Sequence, residues 1–128
     1  MSGNSAEAIR VLVFDDDPDI RACWEILSRQ ERLECFSQYE SWESFLRSGD
    51  PGQVPGAVAF VDNNFEKAAS EFSGVHIAMK LRELGVRSIY SISSNPQGLG
   101  EHRRLFDAVL GTKFPKNLRV LIGGKGSE

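Results

Sequence analysis

The sequence predicts an α/β protein in which a five-stranded parallel sheet carries helices on both faces. Short apolar runs alternate five times with stretches that place apolar residues at helical spacing, over 128 residues. Strands that are apolar throughout are typical of parallel sheets buried on both faces. Parallel strands need crossover connections, and the intervening helices supply them. The length suits one domain, and no internal repeat is visible.

The predicted strands are short and lie between turn signals. The first is the apolar run before an aspartate triplet, and the third is apolar at every position. Gly49-Asp50-Pro51-Gly52 and Pro55-Gly56 punctuate the loop before the third strand. The strands are predicted at residues 9–14, 33–39, 57–61, 88–93 and 108–110.

Apolar stripes predict the helices, and capping residues mark their ends. Asp17 and Pro18 suit the N-cap and first position of a helix over 18–28. Ser41 caps a second helix, and Gly85 stops a third over 75–84. A short helix is predicted over 101–106, and a final one follows. The residues expected in the core are Ile20, Cys23, Trp24 and Leu27, then Trp42, Phe45 and Leu46, then Ile77, Ala78 and Leu81, and finally Leu118, Val120, Leu121 and Ile122.

Composition narrows the class of function. The net charge of −3 and the pI near 5.4 argue against a nucleic-acid-binding surface, which usually carries a basic patch. No apolar stretch approaches the roughly 20 residues of a membrane span, and the small polar N-terminus is unlike a signal peptide. Cys23 and Cys35 lack metal-ligand spacing and are interpreted as reduced thiols. We therefore expect a cytoplasmic protein that binds neither nucleic acid nor membranes directly.

Domain organisation follows from where the periodic pattern begins and ends. Residues 1–8 are predicted to be a disordered N-terminal segment, and residues 9–122 the folded domain. Residues 123–128, which are rich in glycine, are expected to be a tail or a truncated linker.

The triplet Asp15-Asp16-Asp17 is the strongest chemical signal in the chain. It stands where a buried strand ends and a helix begins, and ligands of open α/β sheets bind at the carboxyl ends of the strands. Neighbouring carboxylates raise one another's pKa unless a cation joins them. The triplet predicts a divalent-metal site, and a solvated acidic turn that caps the helix is the alternative interpretation.

Other polar residues follow the remaining strands at the same edge. Asp62 follows the third strand, Ser93 ends the fourth, and Lys113 comes shortly after the fifth. Each alone is common as a loop cap or a surface charge. Together with Asp15 and Asp16 they supply a metal-binding acid pair, a carboxylate nucleophile, a hydroxyl donor and a cation. Transfer of a phosphoryl group onto an aspartate needs these groups.

Four motifs in a fixed order cover nearly the whole chain. They are VLVFDDDPDIR at 11–21, AVAFVD at 57–62, SIYSISS at 88–94 and VLGTK at 109–113. With them the chain resembles the receiver domains of two-component response regulators, and among them the chemotaxis response regulator. The resemblance implies a flavodoxin-like, doubly wound sheet with strand order 2-1-3-4-5. It also implies a phosphorelay role, with a histidine kinase or phosphotransfer protein and a downstream effector domain or protein as partners.

The resemblance also implies a role for each site residue. Asp62 would be the phosphoacceptor, Ser93 stands where the family has Thr or Ser, and Lys113 where it has an invariant Lys. Ser93 and Leu110 occupy the family's two switch positions. The cofactor would be Mg²⁺, held by Asp15, Asp16, Asp62 and the main-chain carbonyl of Asn64.

The residues around Lys113 depart from the family pattern. Leu110, three residues earlier, replaces the Tyr or Phe that usually rotates during switching. Phe114-Pro115 replaces the usual Lys-Pro with its cis bond. A cis Phe114–Pro115 bond stays open as an alternative, since X–Pro bonds tolerate cis far better than other peptide bonds.

Two further segments differ from the pattern. The segment after Asp62, over 63–73, is longer than usual, and Glu66 and Glu71 make it a candidate lid or partner-specific loop. A solvated insertion is the default interpretation. Gly98 and Gly100 weaken the start of the predicted short helix.

Two other functions stay open. The first is a receiver-like binding module that is never phosphorylated, which the altered switch position favours and the complete set of Asp62, Lys113 and the acid pair opposes. The second is a small phosphatase of the haloacid-dehalogenase type, because Asp15 and Asp17 after a strand also fit its nucleophile motif. As a receiver the chain is not an enzyme, since it would catalyse only its own phosphorylation and dephosphorylation.

Overall fold

Five parallel strands form the centre of the fold, and helices cover both faces. The computed structural model describes residues 9–62, 74–92 and 103–123. The strands and α-helices in these ranges are β1 (Arg10–Phe14), α1 (Pro18–Gln30), β2 (Cys35–Tyr39), α2 (Trp42–Ser48), β3 (Val58–Val61), α3 (Gly74–Glu83), β4 (Ser88–Ser91), β5 (Ala108–Val109) and α4 (Leu118–Gly123). All neighbouring strands are parallel, and their order is β2-β1-β3-β4-β5. The structure confirms the predicted fold class and strand order.

Alternate residues of the central strands fill two separate cores. Val11 and Val13 face one side of the sheet, while Leu12 and Phe14 face the other, as the period of two in a strand requires. The α1–α4 cluster consists of Val11, Val13, Trp24, Val58, Phe60, Ile92, Leu118 and Ile122. The α2–α3 cluster includes Leu12, Phe14, Trp42, Phe45, Ala59, Val61, Ile77, Ala78, Leu81 and Ile89. Burial on both faces explains why β1 and β3 are apolar at almost every position.

Side-chain caps start the first two helices as predicted. The carboxylate of Asp17 accepts a hydrogen bond from the Asp19 amide at 2.8 Å, and Pro18 occupies the first helical position. The Ser41 hydroxyl oxygen accepts one from the Ser44 amide at 3.0 Å. Each cap satisfies an amide that has no partner within its helix.

Helices α1 and α3 are each followed by a residue in the left-handed backbone conformation. Gly85 follows α3 with φ of +88°, and the Val86 amide donates back to the Leu81 carbonyl at 3.1 Å. Arg32 takes the same role after α1 with φ of +57°, and the Leu33 amide donates to the Ser28 carbonyl at 2.9 Å. Leu33 therefore takes part in the C-terminal cap of α1, and the prediction that the second strand begins there is wrong: β2 begins at Cys35.

Other predicted boundaries move by one or two residues. Helix α1 extends to Gln30, α3 runs from Gly74 to Glu83, β4 ends at Ser91, and β5 ends at Val109. Of the short helix predicted over 101–106, residues 103–105 form a single 3₁₀ turn, and 101–102 lie outside the described ranges. The segments 1–8 and 124–128, predicted to be disordered and a tail, also lie outside them.

Three residues predicted to lie in the core are exposed. Cys23 lies on the solvent side of α1, Leu46 is 54% exposed on α2, and Val120 is 62% exposed on α4. Each lies at the border of the apolar stripe of its helix. The part of each helix that packs against the sheet is narrower than the stripe, so the residue at the border stays exposed. Both cysteines are free thiols. Within the described ranges, no helix has the length and apolar character needed to cross a bilayer.

Candidate functional site

Asp15 and Asp62 lie side by side at the carboxyl edge of the sheet because β1 and β3 are neighbours. Phe14 pairs with Val61 at the end of the register. The ladder continues one step further, since the Asp62 amide donates to the Phe14 carbonyl at 2.9 Å. The Asp15 amide donates to the Tyr39 carbonyl of β2 at 3.1 Å. Backbone hydrogen bonds therefore fix both aspartates.

Three carboxylates converge at this edge. One oxygen each from Asp15, Asp16 and Asp62 lies within 4.8 Å of the other two. Asp15 is fully buried, Asp62 is 2% exposed and Asp16 is half-buried. Loss of solvent and mutual repulsion both disfavour the charged forms of clustered carboxylates. A cluster of this kind requires positive charge nearby.

Lys113 supplies positive charge from within the chain. Its Nζ lies 3.1 Å from Asp15 Oδ2 and 3.0 Å from Asp62 Oδ2. Burial by itself lowers the pKa of Lys113. The hydrogen bond and charge of Asp62, followed by the charge and hydrogen bond of Asp15, outweigh burial and raise the pKa above its ordinary value. Lys113 is therefore a fixed ammonium between two carboxylates at neutral pH.

The pKa of Asp15 is raised, and burial is the largest cause. The Asp17 amide, which donates to Asp15 Oδ1 at 2.9 Å, acts in the opposite direction. The charge of Asp62 raises the pKa further, while Lys113 lowers it. Because the net direction is upward, one internal lysine does not compensate fully for the buried acid pair. A further cation would favour the charged form of Asp15.

The donor set fits a small divalent cation. Mg²⁺ prefers carboxylate oxygens, keeps several waters and is usually held by one or two carboxylates plus phosphate oxygens. Oxygens bound to one Mg²⁺ at about 2.0–2.1 Å are at most about 4.2 Å apart, which is close to the spread of the cluster, at most 4.8 Å. Both oxygens of Asp15 already accept hydrogen bonds, from the Asp17 amide and from Lys113. A cation at this cluster would therefore meet Asp15 either directly, in place of one of these hydrogen bonds, or through a retained water.

The loop that carries Lys113 is held by the residues around it. Leu110 is half-buried against the α1–α4 cluster, and its amide donates to the Ser91 carbonyl at 2.9 Å. The Phe114 ring packs against the same cluster, with its centroid 6.1 Å from that of Trp24. No peptide bond in the described ranges is cis, so the Phe114–Pro115 bond is trans. Phe114, a departure from the family pattern, therefore packs against the α1–α4 cluster as a half-buried side chain.

Some predicted site residues fall outside the described ranges. Ser93 and Asn64 are among them, as are the segment 63–73, Gly98 and Gly100. Their predicted roles stay predictions. The structure brings together the other members of the predicted site, namely Asp15, Asp16, Asp62 and Lys113.

Sequence analysis assigned no role to Arg21, which also contacts the site. Its Nη1 donates to the main-chain carbonyl of Asp15 at 2.9 Å. A signal for this contact exists in the sequence, because a cation near the N-terminus of a helix opposes the helix dipole. Arg21 lies at the fourth position of α1. An arginine there opposes the helix dipole, but its position does not identify the group that it contacts.

Comparison with known proteins yields similar solved structures only. No protein-family model matches the chain, and no curated protein is a significant match. The receiver domain of the histidine kinase CKI1 from Arabidopsis thaliana, complexed with Mg²⁺ and BeF₃⁻, has a TM-score of 0.66 at 21% identity, covering 94% of this chain and 91% of that chain. A CheY-like response regulator receiver domain from Methylobacillus flagellatus has a TM-score of 0.65 at 18% identity, covering 85% and 90%.

The chain has the receiver-domain fold. A response regulator protein from Burkholderia pseudomallei, solved with a phosphorylated aspartic acid, a calcium ion and citrate, is also similar, with a TM-score of 0.65 at 15% identity, covering 93% of this chain and 69% of that chain. Because these identities are low, the similarity establishes the fold alone. The function has to be argued from the residues of the site itself.

Proposed function

We propose that the chain is a phosphoacceptor receiver domain that takes a phosphoryl group from a phosphohistidine onto Asp62. The observation that carries the proposal is the contact of Lys113 Nζ with both Asp15 and Asp62, in a cluster of three carboxylates. The carboxylate proposed as the nucleophile, the acid pair and the lysine ammonium thus lie together at the carboxyl edge of the sheet. The solved structures with Mg²⁺ and BeF₃⁻, or with a phosphorylated aspartic acid, belong to proteins of the same fold.

The chain's own residues have defined parts in the transfer. A carboxylate oxygen of Asp62 attacks phosphorus, a P–O bond forms, and the P–N bond to the donor histidine breaks with its electron pair returning to the imidazole. Lys113 offers a point charge to the phosphoryl oxygens. Asp15 and Asp16, with Asp62, would hold Mg²⁺, which when bound offsets the negative charge that gathers on the phosphoryl group.

The donor would be a histidine kinase or a phosphotransfer protein, and the acyl phosphate would shift a partner-binding surface. Ser93 and the neighbourhood of Leu110 are the proposed switch. Leu110 makes no side-chain hydrogen bond of the kind a tyrosine makes, so switching would proceed by repacking against the α1–α4 cluster. The chain would process only its own aspartate and is not proposed as an enzyme acting on other substrates.

Intact-mass spectrometry after treatment with a small phosphodonor and Mg²⁺ tests the proposal. We expect one added phosphoryl group that hydroxylamine removes, as an acyl phosphate requires, and no addition to Asp62→Asn. Asp50→Asn is the matched control. Asp50 lies in the loop before β3, at the opposite end of that strand from Asp62, and its side chain caps a 3₁₀ turn over Pro51–Gln53, which asparagine also caps. Uptake by Asp62→Asn at the wild-type rate would refute the assignment.

The same experiment separates the two alternatives. A wild-type chain that takes up no phosphoryl group would favour the silent binding module. Sustained turnover of a generic phosphate ester would favour the phosphatase. The phosphatase reading gains no support from Asp17, whose side chain is exposed and caps α1.

A further inference from the structure

Arg21 contacts the peptide group that joins two of the clustered aspartates. Its Nη1 donates to the Asp15 carbonyl at 2.9 Å, and its side chain is 23% exposed. That carbonyl belongs to the peptide linking Asp15 to Asp16. The orientation of this peptide sets the directions in which both side chains leave the backbone. A hydrogen bond from a charged guanidinium is stronger than one from a neutral donor.

Strand β2 holds Arg21 in turn. The side-chain amide of Gln38 donates to the main-chain carbonyl of Arg21 at 2.9 Å. At its other end, the Arg21 guanidinium lies 3.8 Å from Glu40 Oε1, just after β2. Arg21 therefore joins the end of β1, the first turns of α1 and the end of β2. The Gln38 bond fixes the backbone of Arg21, and the contact with Glu40 lies on the side of the guanidinium that faces β2.

Two electrostatic effects oppose an arginine at this position, and the ion pair with Glu40 favours it. A cation near the N-terminus of a helix opposes the helix dipole, and a cation near a metal site repels the metal ion. The hydrogen bond to the Asp15 carbonyl is a compensating contact. Because charge and hydrogen bonding act in opposite directions here, a substitution can tell them apart.

We propose that Arg21 is a positioning residue that holds the Asp15–Asp16 peptide, so that the carboxylates of both residues converge with Asp62. The inference rests on the proposed function and deepens it, because it names a residue that orients the metal-binding acids without touching the ion. Residues that orient metal ligands typically contribute about 10–100-fold to metal affinity.

Mg²⁺ titrations of Arg21→Met and Arg21→Lys test the proposal. Methionine keeps much of the apolar stem and removes both the charge and the donors, while lysine keeps the charge and one donor group. We expect Arg21→Met to weaken Mg²⁺ binding about ten-fold, the low end for residues that orient ligands, and Arg21→Lys to recover part of the loss. Arg29→Met is the matched control on the same helix, because the Arg29 side chain is exposed and pairs with the exposed Glu25 one turn earlier. We expect this variant to bind Mg²⁺ as tightly as the wild type.

The titrations are made at a temperature well below the unfolding transition of every variant, and circular dichroism checks that each variant is folded. Under these conditions a loss of stability alone leaves the Mg²⁺ affinity unchanged. Arg21→Met binding Mg²⁺ as tightly as the wild type, or more tightly as charge repulsion alone predicts, overturns the proposal. If Arg21→Met gives either result while the mass-spectrometry test shows that Asp62 of the wild type is phosphorylated, the proposed function stands and only the role of Arg21 is lost. A wild-type chain that binds no Mg²⁺ overturns the metal site itself, and the role of Arg21 with it.

Discussion

Lys113 is the residue on which the buried charges of the site depend. It reaches Asp15 from the opposite end of the sequence, 98 residues away. Removing one partner of a buried ion pair leaves the other charge uncompensated, whereas removing an exposed charge has little effect. The Lys113 side chain is 21% exposed, and those of Asp15 and Asp62 are 0% and 4% exposed.

We therefore expect Lys113→Met to lower the free energy of unfolding by about 3–5 kcal/mol at neutral pH in EDTA. Urea unfolding measures it, and Lys116→Met, at an exposed position on the same loop, is the control. Saturating Mg²⁺ should recover part of the loss, because it supplies another cation to the same carboxylates. A loss no larger than that of the control would show that the two acids do not need the lysine.

Asp15 gives the stability of the metal-free chain a definite dependence on pH. Its folded-state pKa is raised, chiefly by burial. The native state therefore binds the Asp15 proton more tightly than the unfolded state. The protonated Asp15 carboxyl therefore contributes to the stability of the native state. The contribution is complete at a pH below the unfolded-state pKa, and it is lost as the pH rises through the folded-state pKa.

Asp15→Asn should consequently be more stable than the wild type at neutral pH in EDTA. The difference should shrink as the pH falls, since Asp15 becomes protonated in both states. Urea unfolding of both proteins across the acid range checks the sign. A difference that is constant with pH would contradict the assigned cause, and so would a less stable variant at neutral pH.

At the scale of elements, Asp17 both caps α1 and contacts a residue of the site. The Asp17 side chain caps the helix, while its amide donates to Asp15 Oδ1. The substitution Asp17→Ala removes the cap and keeps the amide. We expect it to cost about 1 kcal/mol of stability and to leave Mg²⁺ affinity within two-fold of the wild type, about 0.4 kcal/mol.

Asp17→Asn serves as the matched variant, because asparagine caps as well as aspartate. Its stability should stay within a few tenths of a kcal/mol of the wild type. Chemical denaturation and Mg²⁺ titration of the two variants give both quantities. A strong loss of Mg²⁺ affinity in Asp17→Ala would mean that the Asp17 carboxylate is itself part of the metal site.

At the scale of the whole molecule, metal binding and folding are linked. The acids that would hold Mg²⁺ come from the ends of β1 and β3, and they converge only in the folded sheet. An ion that binds the native state alone stabilises it by RT ln(1 + [L]/Kd). We expect about 1.4 kcal/mol for each tenfold rise of free Mg²⁺ above Kd.

Urea midpoints measured over a Mg²⁺ series, with ionic strength balanced by NaCl, test this linkage. Asp16→Ala should show a much weaker response, because it removes a proposed ligand while leaving the sheet intact. Equal responses in the two proteins would place the ion elsewhere, and a flat response in the wild type would contradict Mg²⁺ binding by the native state.

The sequence alone was sufficient for the class of fold and the kinds of residue in the site. Apolar strands, caps such as Asp17 and Ser41, and the stop at Gly85 are local signals, because each acts through hydrogen bonds or burial within a few residues. The alternation of such signals predicts a parallel sheet, and the rule that ligands meet the carboxyl ends of its strands placed Asp15 and Asp62 at one edge.

Tertiary structure decided what local signals leave open. The distances from Lys113 to Asp15 and Asp62 depend on strand order and on the path of a loop packed through Phe114. Which stripe residues meet the sheet was also decided there, and Cys23, Leu46 and Val120 do not. The contact of Arg21 goes to a backbone carbonyl, which every residue carries, so no residue type marks the partner. The physical reason is that these contacts join segments whose separation in space is set by packing of the whole sheet.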